Sequence, residues 1–106
     1  MKSYLLIFSL LFSGSLSAND VFKIVMNESG SGNWGAIRYQ TTSGQSWFVK
    51  GGIFVEILEQ EIPEKSSFTV NMSKTKNAWG AIRIDTNNGK SWYLKDAMWK
   101  KILESN

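Results

Sequence analysis

The chain contains no cysteine and no histidine. The first absence excludes disulfides, thiolate nucleophiles, cysteine-bound metals and a lipid anchor on cysteine. The second removes the side chain that most often serves as general acid or base near neutral pH. Carboxylate pairs of the glycosidase kind could still act, but the acids are poorly arranged for it. Only Glu59 and Glu104 hold corresponding places in the two halves described below, at a segment end where a solvated surface role is expected. Asp85 corresponds to Gln40. No catalysis, no cofactor and no metal are therefore expected. Proline occurs once, at Pro63. Long apolar runs are equally scarce: Leu5–Phe12 is the longest, shorter than the roughly 18 residues of a membrane span.

That run has Lys2 before it and the small residues Ser13, Gly14, Ser15, Ser17 and Ala18 after it, the order of a secretory signal. Residues 1–18 are expected to be an export signal and 19–106 a single domain, secreted or periplasmic. The formal charge is +3 but unevenly spread. Residues 19–62 carry three basic and five acidic side chains, residues 63–106 eight and four. Two electrostatically complementary halves, or a basic face for an acidic partner, would both account for this. Lysines near tryptophans also occur on single-strand nucleic-acid binders, but export argues against that partner. Asp85, Asn87 and Asn88 carry oxygen ligands suited to calcium, yet turn formation explains them, and the first half has Gln40, Thr42 and Ser43 there.

What the sequence does have is a repeat. Residues 34–59 and 79–104 align at an offset of 45 without a gap, with 13 of 26 positions identical. Phe22, Ile24 and Met26 match Phe68, Val70 and Met72 at an offset of 46. Two units, 21–59 and 67–104, follow. A unit this short would be marginal alone, so one shared core is expected. The fold class expected is all-β and mostly antiparallel, as a small barrel or sandwich. Each unit has an alternating first strand, a polar loop, a hairpin, and a tail with apolar residues at 53, 54, 57 and 58 or 98, 99, 102 and 103. That tail spacing suits a short helix capped by Asp96, or a fourth strand.

Asn88-Gly89 is the pair best suited to a two-residue hairpin turn, and Ser43-Gly44 is its counterpart. Such a turn pairs Asp85 with Trp92 and Ile84 with Tyr93. One face then carries Ile82, Ile84, Thr86 and Tyr93, and the other Trp79, Ala81, Arg83, Asp85, Trp92 and Leu94. The first unit gives Ile37, Tyr39 and Phe48 against Trp34, Ala36, Arg38, Gln40, Trp47 and Val49. The first face is expected to be core. The second combines indole rings with a guanidinium and an amide or carboxylate, the equipment of a glycan or peptide site. Candidate ligand-binding residues are therefore Trp34, Arg38, Gln40, Trp47, Trp79, Arg83, Asp85 and Trp92. The competing expectation is that the indoles only pack, with arginine as a cation–π staple. Phe54 and Trp99 are expected in the core.

The run from an alternating strand through Trp-Gly-Ala-Ile-Arg to Ser-Trp-Phe-Val or Ser-Trp-Tyr-Leu resembles the later strands of bacterial Src-homology-3-like domains. That resemblance implies a small barrel binding cell-wall peptide or glycan. Asp85 to Trp92 resembles an Asp-box hairpin, which implies that Trp92 packs within its hairpin. IRIDTNNGK resembles the blade motif of two-blade fucose lectins, which implies Arg83 and Arg38 as sugar-contacting arginines.

The function expected is an exported non-catalytic binding module for glycan or cell-wall polymer through the Trp/Arg faces. The alternatives are an inhibitor or immunity protein blocking an exported enzyme, and a self-assembling structural protein. Partners would accordingly be a polymer, an exported protein target, or further copies as a homo-oligomer.

Overall fold

The computed structural model describes residues 21–28, 34–74 and 79–105. The expected export signal lies outside them. The described chain is all-β, in an antiparallel sheet of four strands and a second sheet of five that is antiparallel except for one short parallel pairing at its edge. No helix among the described residues is long and apolar enough to cross a membrane.

The first sheet has the order β1(Phe22–Glu28), β2(Trp34–Gln40), β3(Ser46–Lys50) and β4(Ile53–Glu56). The chain then leaves it. β5(Leu58–Glu59) pairs in parallel with β9(Met98–Lys101), the last strand of the second sheet. That sheet runs β5-β9-β8-β7-β6, with β6(Phe68–Lys74), β7(Trp79–Asp85) and β8(Ser91–Lys95). The same ladders recur in both sheets. Ile37 faces Phe48 and Arg38 faces Trp47 in the first; Ile82 faces Tyr93 and Arg83 faces Trp92 in the second.

The tail is a strand in both units, not a helix. Gly51-Gly52 and Asp96-Ala97 all have positive φ, which turns the chain straight back onto β3 and β8. In β4, Val55 lies opposite Phe48 and Phe54 opposite Val49, so both faces of the strand are apolar. Apolar residues on both faces hide the period of two and imitate a helical spacing.

The hairpin loop is also longer than a two-residue turn. Asp85 N–H donates to the Lys90 carbonyl, Gly89 N–H to the Asp85 carbonyl, and the connection spans 86–89. Asn87 N–H donates to Asp85 Oδ1 at 2.9 Å and Lys90 N–H to Asn88 Oδ1 at 2.9 Å, so side chains close the loop. The pairing thus shifts by two positions from the expected register. Because side chains alternate with a period of two, a shift of two leaves each on its expected face.

The core lies between the sheets. Ile37, Tyr39 and Ile57 from the first unit meet Phe68, Val70, Ala81, Trp92 and Trp99 from the second. The Ile/Tyr face of the first sheet therefore covers the Trp/Arg face of the second.

Candidate functional site

That packing inverts the expected exposure in the second unit. Arg83 and Asp85 are buried, and so is Trp92, whereas Ile82 and Tyr93 are exposed. The Trp92–Arg83–Asp85 set is interior: Arg83 is fully enclosed, and Asp85 and Trp92 only border a cavity of about 330 Å³ beside the linker residues 61–66. The cause is the stacking of sheet on sheet: opposite faces of the two units meet, so only one copy of each face can be covered.

Arg83 sits in a cradle of three rings, its Cζ 4.4 Å from the centre of Trp92, 5.1 Å from Trp99 and 5.5 Å from Phe68. Phe68 and Trp92 lie 6.0 Å apart and tilted by 56°. The guanidinium is held from the first unit. Nη1 donates to the Gly44 carbonyl at 2.9 Å and to Glu59 Oε2 at 2.7 Å, and Nη2 to Glu59 Oε1 at 3.0 Å. Its fork matches the carboxylate edge on, the strong form of this contact. Glu59, expected to be a solvated surface acid, is instead half-buried and ion-paired. Sequence reasoning missed it, although it was the one acid duplicated in the repeat.

Asp85 closes the other end of this interface. Its Oδ1 accepts from Ser66 Oγ at 2.7 Å and from Asn87 N–H. Burial acts to raise the carboxyl pKa, but hydrogen bonds from Ser66, Asn87 and Asn88 outweigh it and hold the value below normal. The Asp85–Asn87–Asn88 group thus acts as a loop clasp, and among the described residues no cluster of acids suits a metal ion.

The first unit carries the same cradle. Arg38 Cζ lies 4.0 Å from the centre of Phe54, 4.5 Å from Trp47 and 5.7 Å from Phe22. Phe22 and Trp47 are again 6.0 Å apart, tilted by 53°. Phe54 replaces Trp99, and Phe22 replaces Phe68. This cradle is open: Phe22 and Phe54 are exposed, Arg38 and Trp47 half-buried. Among the described residues no carboxylate pairs with Arg38, and its buried Nε has no hydrogen-bond partner. Phe54, expected in the core, is therefore at the surface; Trp99 is fully enclosed.

Of the remaining candidates, Trp34 stands exposed at the start of β2, four positions before Arg38. Gln40 is half-buried and accepts from Ser43 Oγ at 2.5 Å, a loop contact. The side chain of Trp79 lies outside the described residues. The structure thus brings Arg38 and Trp47 together at the surface, adds Phe22 and Phe54, and withdraws Arg83, Asp85 and Trp92. A cation between flat rings can hold a carboxylate whose neighbours are apolar, as Arg83 does. Comparison with known proteins gives no match to this chain among family models, curated proteins or solved structures.

Proposed function

We propose that the chain is a non-catalytic module that binds an extended polypeptide through the Arg38 cradle and the open edge of β4. One observation carries this. The equivalent cradle at Arg83 is filled by a strand, Leu58–Glu59, whose carboxylate forks onto the guanidinium while its backbone extends the sheet at β9. β4 is an edge strand with the same cradle beside it, so strand addition plus one carboxylate describes the ligand. Export through residues 1–18 would place that ligand in the periplasm or outside the cell, where an enzyme to be blocked is one such target.

The test is a fluorescence titration, reading Trp47, with a synthetic Glu-Ile-Leu-Glu-Gln peptide copied from residues 56–60. Saturable binding lost in Arg38→Ala, and lost when the second glutamate becomes glutamine, is the expected result. Binding that ignores Arg38, or none at all, overturns the reading.

A second reading, recognition of an acidic glycan or cell-wall polymer, draws on the rings of Phe22 and Phe54 open beside a guanidinium. It is favoured instead if uronic-acid oligosaccharides, and not the peptide, titrate in an Arg38-dependent way.

A further inference from the structure

The two sheets join through unlike faces, and each unit presents both kinds. The second unit offers its Trp/Arg face to the first, and the first offers its Ile/Tyr face to the second. This leaves one face of each kind unused, on opposite sides of the chain. The exposures show the match. Phe68 is 2% exposed and its counterpart Phe22 59%; Val70 is 3% and Ile24 56%; Trp99 is 0% and Phe54 41%. On the other face, Ile37 is 0% and Ile82 46%; Ile57 is 1% and Ile102 36%. An apolar groove of about 410 Å³ opens there beside Ile82 and Tyr93.

The geometry points to a second copy of this chain as the occupant of the Arg38 cradle, supplied by its segment Ile102–Glu104; this rests on the polypeptide-binding reading above. Adding the repeat offset to the observed contacts writes the new interface. Arg83 binds the Gly44 carbonyl and Glu59, so Arg38 receives the Gly89 carbonyl and Glu104 of the next copy. Leu58 faces Met98 and Glu59 faces Trp99, so Leu103 and Glu104 add in parallel beside Ile53 and Phe54 of β4. Leu58 N–H donates to the Ala97 carbonyl at 3.0 Å, which assigns Leu103 N–H to the carbonyl of Gly52. Phe68 N–H donates to the Thr41 carbonyl at 2.7 Å, which assigns the Phe22 N–H to that of Thr86.

The donor segment is in place for this. Ile102 N–H is already bound to the Ser91 carbonyl at 2.8 Å, as Ile57 N–H is to that of Ser46. The next residue, Leu103, is 81% exposed. Charge agrees as well: the acid-rich first half, presenting Arg38, meets the lysine-rich second half, presenting Glu104. The contact is head to tail and not two-fold, so each added copy again exposes one face of each kind until a ring closes.

The test is native mass spectrometry and sedimentation velocity on the protein expressed from its full sequence. The wild type is expected above monomer mass. Glu104→Lys and Leu103→Asp both alter an exposed segment, and each should leave the melting curve of the isolated chain unchanged. Each should weaken association roughly 30-fold or more, the scale of losing one partner of a buried charge pair. Arg38→Ala, which disables only the head, should be monomeric too. An equimolar mixture of Arg38→Ala and Glu104→Lys should then form a dimer and nothing larger, because one sound head meets one sound tail. A monomer at every soluble concentration, or an oligomer that survives both tail variants, overturns the proposal. In either of those outcomes the peptide titration separates the two readings: Arg38-dependent binding leaves the polypeptide module standing, and its absence removes that as well.

Discussion

Replacing Glu59 by leucine tests whether the two sheets are held as described. Arg83 is fully buried, and two of its three hydrogen bonds go to this carboxylate, at 2.7 and 3.0 Å. Removing one partner of a buried ion pair costs about 3–5 kcal/mol, because the other charge stays desolvated. Two features hold the loss toward the lower end. The Gly44 carbonyl remains at 2.9 Å, and the three rings retain cation–π attraction of about 0.5–2 kcal/mol. The expected loss is therefore about 3 kcal/mol, or a fall in melting temperature of about 12–24 °C for a domain of this size. Glu59→Gln keeps one acceptor and should lose about 1.5–3 kcal/mol. The double variant Glu59→Leu/Arg83→Met should recover most of the loss, since no buried charge is left without its partner. Urea and thermal unfolding followed by tryptophan fluorescence give these values, at a protein concentration where the chain is monomeric. Glu104→Leu, at the corresponding but exposed position, is the internal control. A Glu59→Leu effect within about 0.5 kcal/mol, the range of ordinary surface changes, would refute the buried pair.

Two further outcomes follow from the same geometry. Gly44 and Gly89 both have positive φ, 77° and 80°, but a Cβ at Gly44 would lie 3.2 Å from Phe68 and from Arg83, whereas one at Gly89 meets nothing within 4 Å. Gly89→Ala should then cost only the left-handed backbone penalty of about 1–2 kcal/mol, and Gly44→Ala distinctly more, as chemical denaturation will show. The Asp85 carboxyl is held below its ordinary value, so the folded chain binds fewer protons there than the unfolded chain as pH falls. Its contribution is fully present above the unfolded value, about 3.9, and is lost as pH drops through the lower folded value. Asp85→Asn should flatten the urea midpoint against pH below about 4, where the wild type declines.

The all-β class, the two hairpins and the sharing of side chains between faces were legible in the sequence, because alternation survives a register shift of two. Solvent exposure was not. Arg38 and Arg83 stand in nearly identical local sequences, and only the order of stacking makes one half-buried and the other interior. The tail strands were obscured by apolar residues on both of their faces. Glu59 could have been found by asking why one acid alone repeats with the arginine, but its partner lies in the other unit, 24 positions away. β5 has no local signal at all: two residues of strand take their conformation from Met98 and Trp99, which the chain reaches some 40 positions later.

That short crossing gives the molecule a direction. The earlier half reaches forward and completes the later one, while the later half gives nothing back of the same kind. Exchanging their order along the backbone would therefore not produce an equivalent protein, however alike the two are in composition. A cut in the exposed linker around Ile62 would leave the first fragment carrying a strand that belongs to its neighbour's sheet. Beyond the core they share, the halves are thus tied by the covalent chain and by a finger of backbone that the covalent chain merely delivers.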